Sequence, residues 1–195
     1  LHWHHFNAPI LPPTIPDDVR NAEVLQDNKI IVYLSFEELD DIIKLCSPFK
    51  GYEFYIYYPI DTPYDKGNIH IRPLSRENFQ KDLSESVGVI ANSGFSLSSE
   101  AIHLGKKLLS KPILYQTEQE ANAKALEHLG LGKVMKDLNP IIMEEWLTEP
   151  MPIPANYPHT FTELAKWITE GDYENTDDLV NRLWSRTGYV PEPVT

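Results

Sequence analysis

From Lys29 to Gly130 the chain alternates short apolar runs with stretches whose apolar residues recur every three or four positions, and few folds accept that rhythm. Strands buried on both faces read as continuous apolar runs, and helices that cover a sheet carry one apolar stripe each. Lys29 to Leu34 (KIIVYL) is such a run. Further strands are expected at Glu53 to Tyr57, Ile69 to Ile71, Val87 to Ala91, and across Leu108-Leu109 and Pro112 to Tyr115. Between them, Leu39, Ile42, Ile43 and Cys46 form one helical stripe, Leu97, Ala101 and Leu104 another, and Ala121, Ala125, Leu126 and Leu129 a third. A further helix is expected from about Arg76. Ser35 with Glu38, and Thr117 with Glu120, have the spacing of capping boxes, and Gly130 suits a helix stop. The order strand, helix, strand predicts an α/β fold: a parallel sheet flanked by helices on both faces.

Prolines punctuate the two ends. Pro9, Pro12, Pro13 and Pro16 mark residues 1–28 as an extended Pro-rich interdomain arm, and Pro150, Pro152, Pro154 and Pro158 mark a second crossing. Residues 29–150 are then the domain proper, and residues 151–195 a helical appendage of it. In that appendage Phe161, Leu164, Ala165 and Ile168, then Leu179, Val180 and Leu183, repeat at helical spacing and are expected to pack back. The chain begins without Met, so a fragment of a longer protein is expected.

Charge narrows the partners. With 17 Lys and Arg against 29 Asp and Glu the formal net charge is -12, which repels a long polyphosphate, and no nucleic acid partner is expected. Lys106-Lys107 with Lys111 is the densest basic spot. Cys46 stands alone, on an apolar helical stripe, which fits a buried thiol and a reducing, cytoplasmic setting. No run approaches the ~20 apolar residues of a membrane span, and residues 1–5 do not read as a signal peptide. His2, His4 and His5 lie in the Pro-flanked arm without a Cys or a downstream partner, so no metal site is expected there. Trp146, Trp167 and Trp184 read as packing residues, and His103 as a satisfied partner of a neighbouring helix.

The window Val87 to Asn122 carries the chemistry. Its strand ends at Asn92-Ser93-Gly94-Phe95-Ser96 and a helix follows at once. Ligands of open α/β sheets bind beyond the carboxyl ends of the strands, and the free N–H groups of a helix start attract phosphate. Gly94 permits close approach, and Ser93 and Ser96 offer hydroxyls, although an ordinary turn capped by Ser96 accounts for these five residues as well. Glu100, six residues past Gly94, can reach back to accept hydrogen bonds from a ribose diol, or can be a solvated helix-face residue. Glu118-Gln119 opens the next helix, where the pair can read sugar hydroxyls or simply favour a helix start.

Ser93-Gly94-Phe95-Ser96, Glu100, Gly105, Pro112, Glu118-Gln119 and Asn122-Ala123 together resemble the donor-binding signature of nucleotide-sugar glycosyltransferases. These are GT-B type enzymes of two Rossmann-like domains, here similar to the family 28-type transferases and to the signature box of plant UDP-sugar transferases. The resemblance spans roughly residues 30–130. It implies that the Ser93–Ser96 backbone holds a diphosphate, Glu100 the ribose, Glu118 and Gln119 the sugar, and Arg72-Pro73-Leu74 the nucleobase. Arg72 has an alternative partner in Glu77. Where relatives have a glycine-rich phosphate loop after the first strand, this chain has Leu34-Ser35-Phe36, leaving only Ser35 to help, and Asn92 stands where plant members have His.

No Asp-x-Asp occurs, which argues against a metal-dependent transferase; the resemblance implies a transfer from a UDP-sugar, without cofactor, to a lipid or polysaccharide acceptor. The catalytic base is then in an N-terminal acceptor domain and none is in this fragment; membrane contact, if any, is peripheral and made through the full-length enzyme. A nucleotide-sugar epimerase-like domain is the enzymatic alternative, and a non-catalytic nucleotide-sugar-binding or signalling module the other. A flavodoxin-like receiver would need an acidic cluster and a phosphoacceptor Asp where the strands end in Leu34-Ser35 and Ala91-Asn92.

Overall fold

A computed structural model describes residues 9–171, 173 and 176–189. The strands are β1 (Lys29–Tyr33), β2 (Glu53–Tyr57), β3 (Tyr64–Lys66), β4 (Ile69–Arg72), β5 (Gly88–Asn92), β6 (Lys107–Lys111) and β7 (Lys133–Val134). Among the described residues they form one sheet in the order β3-β4-β2-β1-β5-β6-β7, parallel except for β3, which pairs antiparallel with β4. The helices are α1 (Asp17–Arg20), α2 (Leu39–Cys46), α3 (Arg76–Glu85), α4 (Phe95–His103), α5 (Thr117–His128), α6 (Pro140–Thr148), α7 (Thr160–Glu170) and α8 (Thr176–Trp184).

Successive side chains of β1 enter opposite layers, and each layer is sealed by helices. Ile30 and Val32 join Ile42 and Cys46 of α2 and Met143 and Trp146 of α6. Ile31 joins Leu83 of α3, Ala101 and Ile102 of α4, Leu126 of α5 and Trp184 of α8. The expected α/β, Rossmann-like sheet with helices on both faces is therefore the fold. The chain builds outward from β1 to β2 and β4 on one side and then crosses from β4 through α3 to β5 on the other, so a topological switch point opens between the carboxyl ends of β1 and β5.

Several local expectations give way. Ser35 and Glu38 form no capping box: α2 starts at Leu39 behind Glu38 with no side-chain cap. The loop is held instead by the Glu37 N–H on the Leu34 carbonyl (3.2 Å) and by the Glu37 carboxylate on Lys111 Nζ (2.5 Å). Thr117 is the first residue of α5, with Gln116 in the cap position and no side-chain cap, so the second box is absent too. β6 ends at Lys111, because Pro112 has no N–H for a ladder and Tyr115 takes a left-handed φ of 64°. The arm is not wholly extended: α1 forms one turn and buries Val19.

In the appendage, α8 packs back through Leu179, Leu183 and Trp184, whereas α7 leaves Phe161 (73% exposed) and Ile168 (50%) uncovered. Its stripe is amphipathic, but α7 meets the rest of the chain through buried Thr160 and through Glu163, which pairs with Arg182 and Arg186 near α8. Among the described residues no helix is long and apolar enough to cross a membrane.

Gly105 ends α4 with a φ of 67°, and a Cβ there would come within 2.7 Å of Pro154 Cγ. Gly130 ends α5 with a φ of 63° and open space around it. A left-handed alanine costs roughly 1–2 kcal/mol, and a clash in a packed site roughly 1–3 more. Gly105→Ala is accordingly expected to lower the urea midpoint further than Gly130→Ala; equal losses would show that Pro154 yields freely.

Candidate functional site

α4 begins directly beyond β5, at the switch point. Gly94 is its N-cap, with φ −71° and ψ 144° and no side-chain cap. The Gly94 N–H turns back to the Asn92 carbonyl at 2.7 Å, and the first helical bond is Ser98 N–H to the Gly94 carbonyl at 3.4 Å. Among the described residues nothing accepts from the amides of Phe95, Ser96 and Leu97. Phe95 and Ser96 are exposed, so this positive helix end opens to solvent. Gly94 needs no unusual backbone angle, and a Cβ there would meet no atom within 4 Å, so the space beside it is open.

The loop that presents these amides is fastened from behind. Ser93 is fully buried and its hydroxyl lies 2.7 Å from that of Ser110 on β6. The expected donation of the Ser93 hydroxyl to a ligand is therefore corrected: burial turns it inward. Asn122 of α5 donates to the Ser93 carbonyl (2.9 Å), and Asn92 donates to the Lys111 carbonyl (3.0 Å). Ser35 is exposed in the loop after β1, at the same carboxyl edge.

Beside the helix end lies a cavity of about 280 Å³. It brings together Leu74, Ser96 and Glu100 from three separate parts of the sequence pattern, along with Ser75 and Arg76 at the start of α3 and Leu97 of α4. Its walls include Tyr33, Tyr57 and Phe79, which no motif singled out. Phe79 meets Tyr33 and Tyr57 edge-on, with ring centroids 5.9 and 4.9 Å away, and the Tyr57 hydroxyl donates to Asp82 at 2.7 Å. A tyrosine as the last residue of two neighbouring parallel strands was the available signal.

Glu100 is not a solvated helix-face residue: it is only 9% exposed. Burial raises its carboxyl above the ordinary range, opposed by a hydrogen bond from Gln80 and by the charge of Arg76.

The remaining expected residues stand apart. Arg72 and Pro73 do not line the cavity; Arg72 pairs with Asp65 at 2.8 Å, not with Glu77, and stacks over Tyr55. The β3 hairpin, unforeseen in the sequence, brings Asp65 alongside. Glu118 is exposed and Gln119 partly buried at the start of α5, beyond the carboxyl end of β6, and neither lines the cavity.

The three clustered lysines form no anion platform. Lys106 Nζ donates to the carbonyls of Leu25, Ser84 and Ser86 (2.8, 2.7 and 2.6 Å), Lys107 donates to the Leu147 carbonyl, and Lys111 pairs with Glu37. Cys46 is buried, and burial pushes its thiol up. His103 Nδ1 accepts from the backbone N–H of Tyr157 at 2.9 Å, so its partner is the second proline crossing and not a helix. Trp146 and Trp184 are buried, and Trp167 is half-buried against Tyr173. Among the described residues no group of three or more His, Cys, Asp or Glu is arranged to hold a metal ion, and His2, His4 and His5 lie outside the described residues.

Comparison with known proteins agrees with this layout at the level of the fold. No curated protein matches the sequence. Among solved structures, the glycotransferase of kitacinnamycin superposes with a TM-score of 0.51 at 13% identity, over 83% of this chain and 39% of that one. ALG13 superposes with a TM-score of 0.50 at 11% identity, over 71% of this chain and 95% of that one. The glycosyltransferase VinC, solved in complex with DTDP, has a TM-score of 0.47 at 18% identity, over 92% and 47%. The chain thus spans well under two thirds of the kitacinnamycin enzyme. Residues 4–152 match the model of glycosyl transferase family 1, which is more than half of the sequence and includes every strand and the open start of α4. The chain therefore belongs to glycosyl transferase family 1.

Proposed function

We propose that the chain is the C-terminal, donor-binding half of a metal-independent, inverting glycosyltransferase of GT-B type. In this reading the donor is a UDP-sugar, the acceptor a lipid or polysaccharide, and the setting cytoplasmic. The observation that carries it is the open amide end of α4 beside a cavity that unites Leu74, Ser96 and Glu100. The likeness to family 28-type transferases rests on motif spacing alone.

The diphosphate sits on the amides of Phe95, Ser96 and Leu97, in the space that Gly94 leaves open, with the hydroxyls of Ser96 and Ser35 as further donors. Glu100 accepts from the ribose hydroxyls. The base lies against Leu74 in the loop Arg72-Pro73-Leu74, and Glu118 with Gln119 reads the sugar. The acceptor oxygen attacks the anomeric carbon as the bond to the diphosphate breaks; the electron pair leaves on the diphosphate, where the helix amides stabilise it. The acceptor proton goes to a base in the N-terminal domain. No cofactor enters this scheme, and the absence of Asp-x-Asp supports a transfer without metal.

Thermal shift with UDP-, GDP-, dTDP- and CMP-sugars tests the donor class, since a ligand at about 100 times its Kd adds about 2.7 kcal/mol. UDP-sugars are expected to shift the midpoint most. Glu100→Gln is expected to weaken UDP binding about 10- to 100-fold, the range for hydrogen bonds to a charged group, with an unchanged circular dichroism spectrum. No shift with any donor would remove the donor-site reading, and unchanged affinity in Glu100→Gln would remove the role of that residue.

A further inference from the structure

We infer that Gln80 is a positioning residue of this site, fixing one carboxylate oxygen of Glu100 so that the other is free to accept ligand hydroxyls; the inference rests on the proposed role of Glu100. Gln80 lies on α3, across the cavity wall from α4, and its Nε2 donates to Glu100 Oε2 at 3.1 Å. Among the described residues Glu100 Oε1 has no hydrogen-bond partner, and Glu100 itself lines the cavity.

The chemistry of the pair explains why an amide stands there. A buried carboxylate without a donor tends to take up a proton, and a neutral acid donates as readily as it accepts. A Lys or Arg in the same place would keep Glu100 ionised, but it would also close an ion pair over the oxygens that a diol must reach. A neutral amide supplies one N–H and leaves the second oxygen uncommitted. Arg76, also at the cavity, does not hold Glu100 in this way, because its side chain is 71% exposed and reaches Asp18 at 3.3 Å.

Gln80 meets a cost in this position. Its Oε1 is buried without a hydrogen-bond partner among the described residues. Packing alone does not call for an amide whose acceptor is left unsatisfied, because an apolar side chain of similar size would fill α3 without it. The hydrogen bond to Glu100 is what the amide adds.

The test uses UDP and 2′-deoxy-UDP, which differ by one hydroxyl of the diol, titrated calorimetrically into the wild type, Glu100→Gln, Gln80→Met and the double variant. Gln80→Leu serves as a second donor-less variant should Gln80→Met fold poorly. The wild type is expected to prefer UDP about tenfold, the worth of one hydrogen bond to a charged group. Glu100→Gln should bring the ratio near one, Gln80→Met should cut it about threefold or more, and the double variant should match Glu100→Gln. A ratio lost in Glu100→Gln but intact in the Gln80 variants would overturn the positioning role while leaving Glu100 in place. A wild type that ignores the 2′-hydroxyl, or a ratio untouched in Glu100→Gln, would remove the Glu100 reading and this inference with it. A wild type that does not bind UDP would overturn the UDP assignment and this inference with it, and one that binds none of the four nucleotide-sugar classes would remove the donor site as a whole.

Discussion

Lys106→Met is expected to lower the unfolding free energy by about 2–3 kcal/mol, the range for losing hydrogen bonds to a charged group and leaving buried acceptors without a donor. Lys106 is 1% exposed, and its ammonium has three N–H groups for three carbonyls, those of Leu25, Ser84 and Ser86. Methionine fills the same channel with no donor, so the carbonyls of Leu25 and Ser86 lose their donor at once and that of Ser84 keeps only the Leu25 N–H. The carbonyls belong to the arm, to the end of α3 and to the residue after it, and the arm is tied to the same helix end by Leu25 N–H on Ser84 and Asp27 N–H on Glu85. Urea denaturation followed by circular dichroism measures the loss. A change under about 1 kcal/mol would mean that water replaces the ammonium, and that the arm is looser than these contacts imply.

Acid is expected to unfold the protein partly through His103. Burial, and secondarily the charge of Arg20, lowers its imidazole to about 4 from the ordinary 6.5, and the ring nitrogen that would take the proton already accepts from the Tyr157 N–H. Between these two values the unfolded chain binds a proton that the folded chain does not. The contribution is therefore complete above about pH 6.5 and falls away as pH drops toward 4, by up to about 3 kcal/mol. Glu100 works in the opposite sense: its carboxyl is raised, so its contribution is complete in acid and lost as pH rises. The comparison that isolates His103 is the stability difference between pH 7 and pH 4.5 in the wild type and in His103→Gln, which keeps an acceptor but no titrating ring. The variant should show the shallower loss. Identical losses would assign the acid sensitivity to other groups.

The central strands were legible because both their faces are covered. KIIVY has no polar alternation to mislead, and the two layers take up its residues from Ile30 to Tyr33. β3 was invisible for the converse reason: Tyr64, Asp65 and Lys66 are all exposed and hold their place by pairing with β4. β7 is only two residues long. α6 was missed although it carried a signal, since Asn139 caps it by accepting from the amides of Ile141 and Ile142 and Pro140 occupies the first turn. The two capping boxes were over-read, because a Ser or Thr three residues before Glu caps a helix only if the helix starts there.

At the site, Ser96 and Glu100 were readable as neighbours on one helix, and Leu74 joined them through the resemblance. The direction of the Ser93 hydroxyl was not, since it depends on Ser110, 17 residues on and in the next strand. Tyr33, Tyr57 and Phe79 come from β1, β2 and α3 and share no spacing, so only the folded chain reveals that they meet around one space and that Gln80 reaches Glu100 beside it.

The three ties behind the start of α4, from Ser110, Asn122 and Asn92, engage nothing on the cavity side. A cradle braced this way keeps its shape whether empty or filled, so a guest that docks there spends little on ordering backbone. If the proposed donor docks there, gripping stays apart from choosing, since side chains around the hollow can drift from one guest to another over evolutionary time while the braced backbone beneath them stays put.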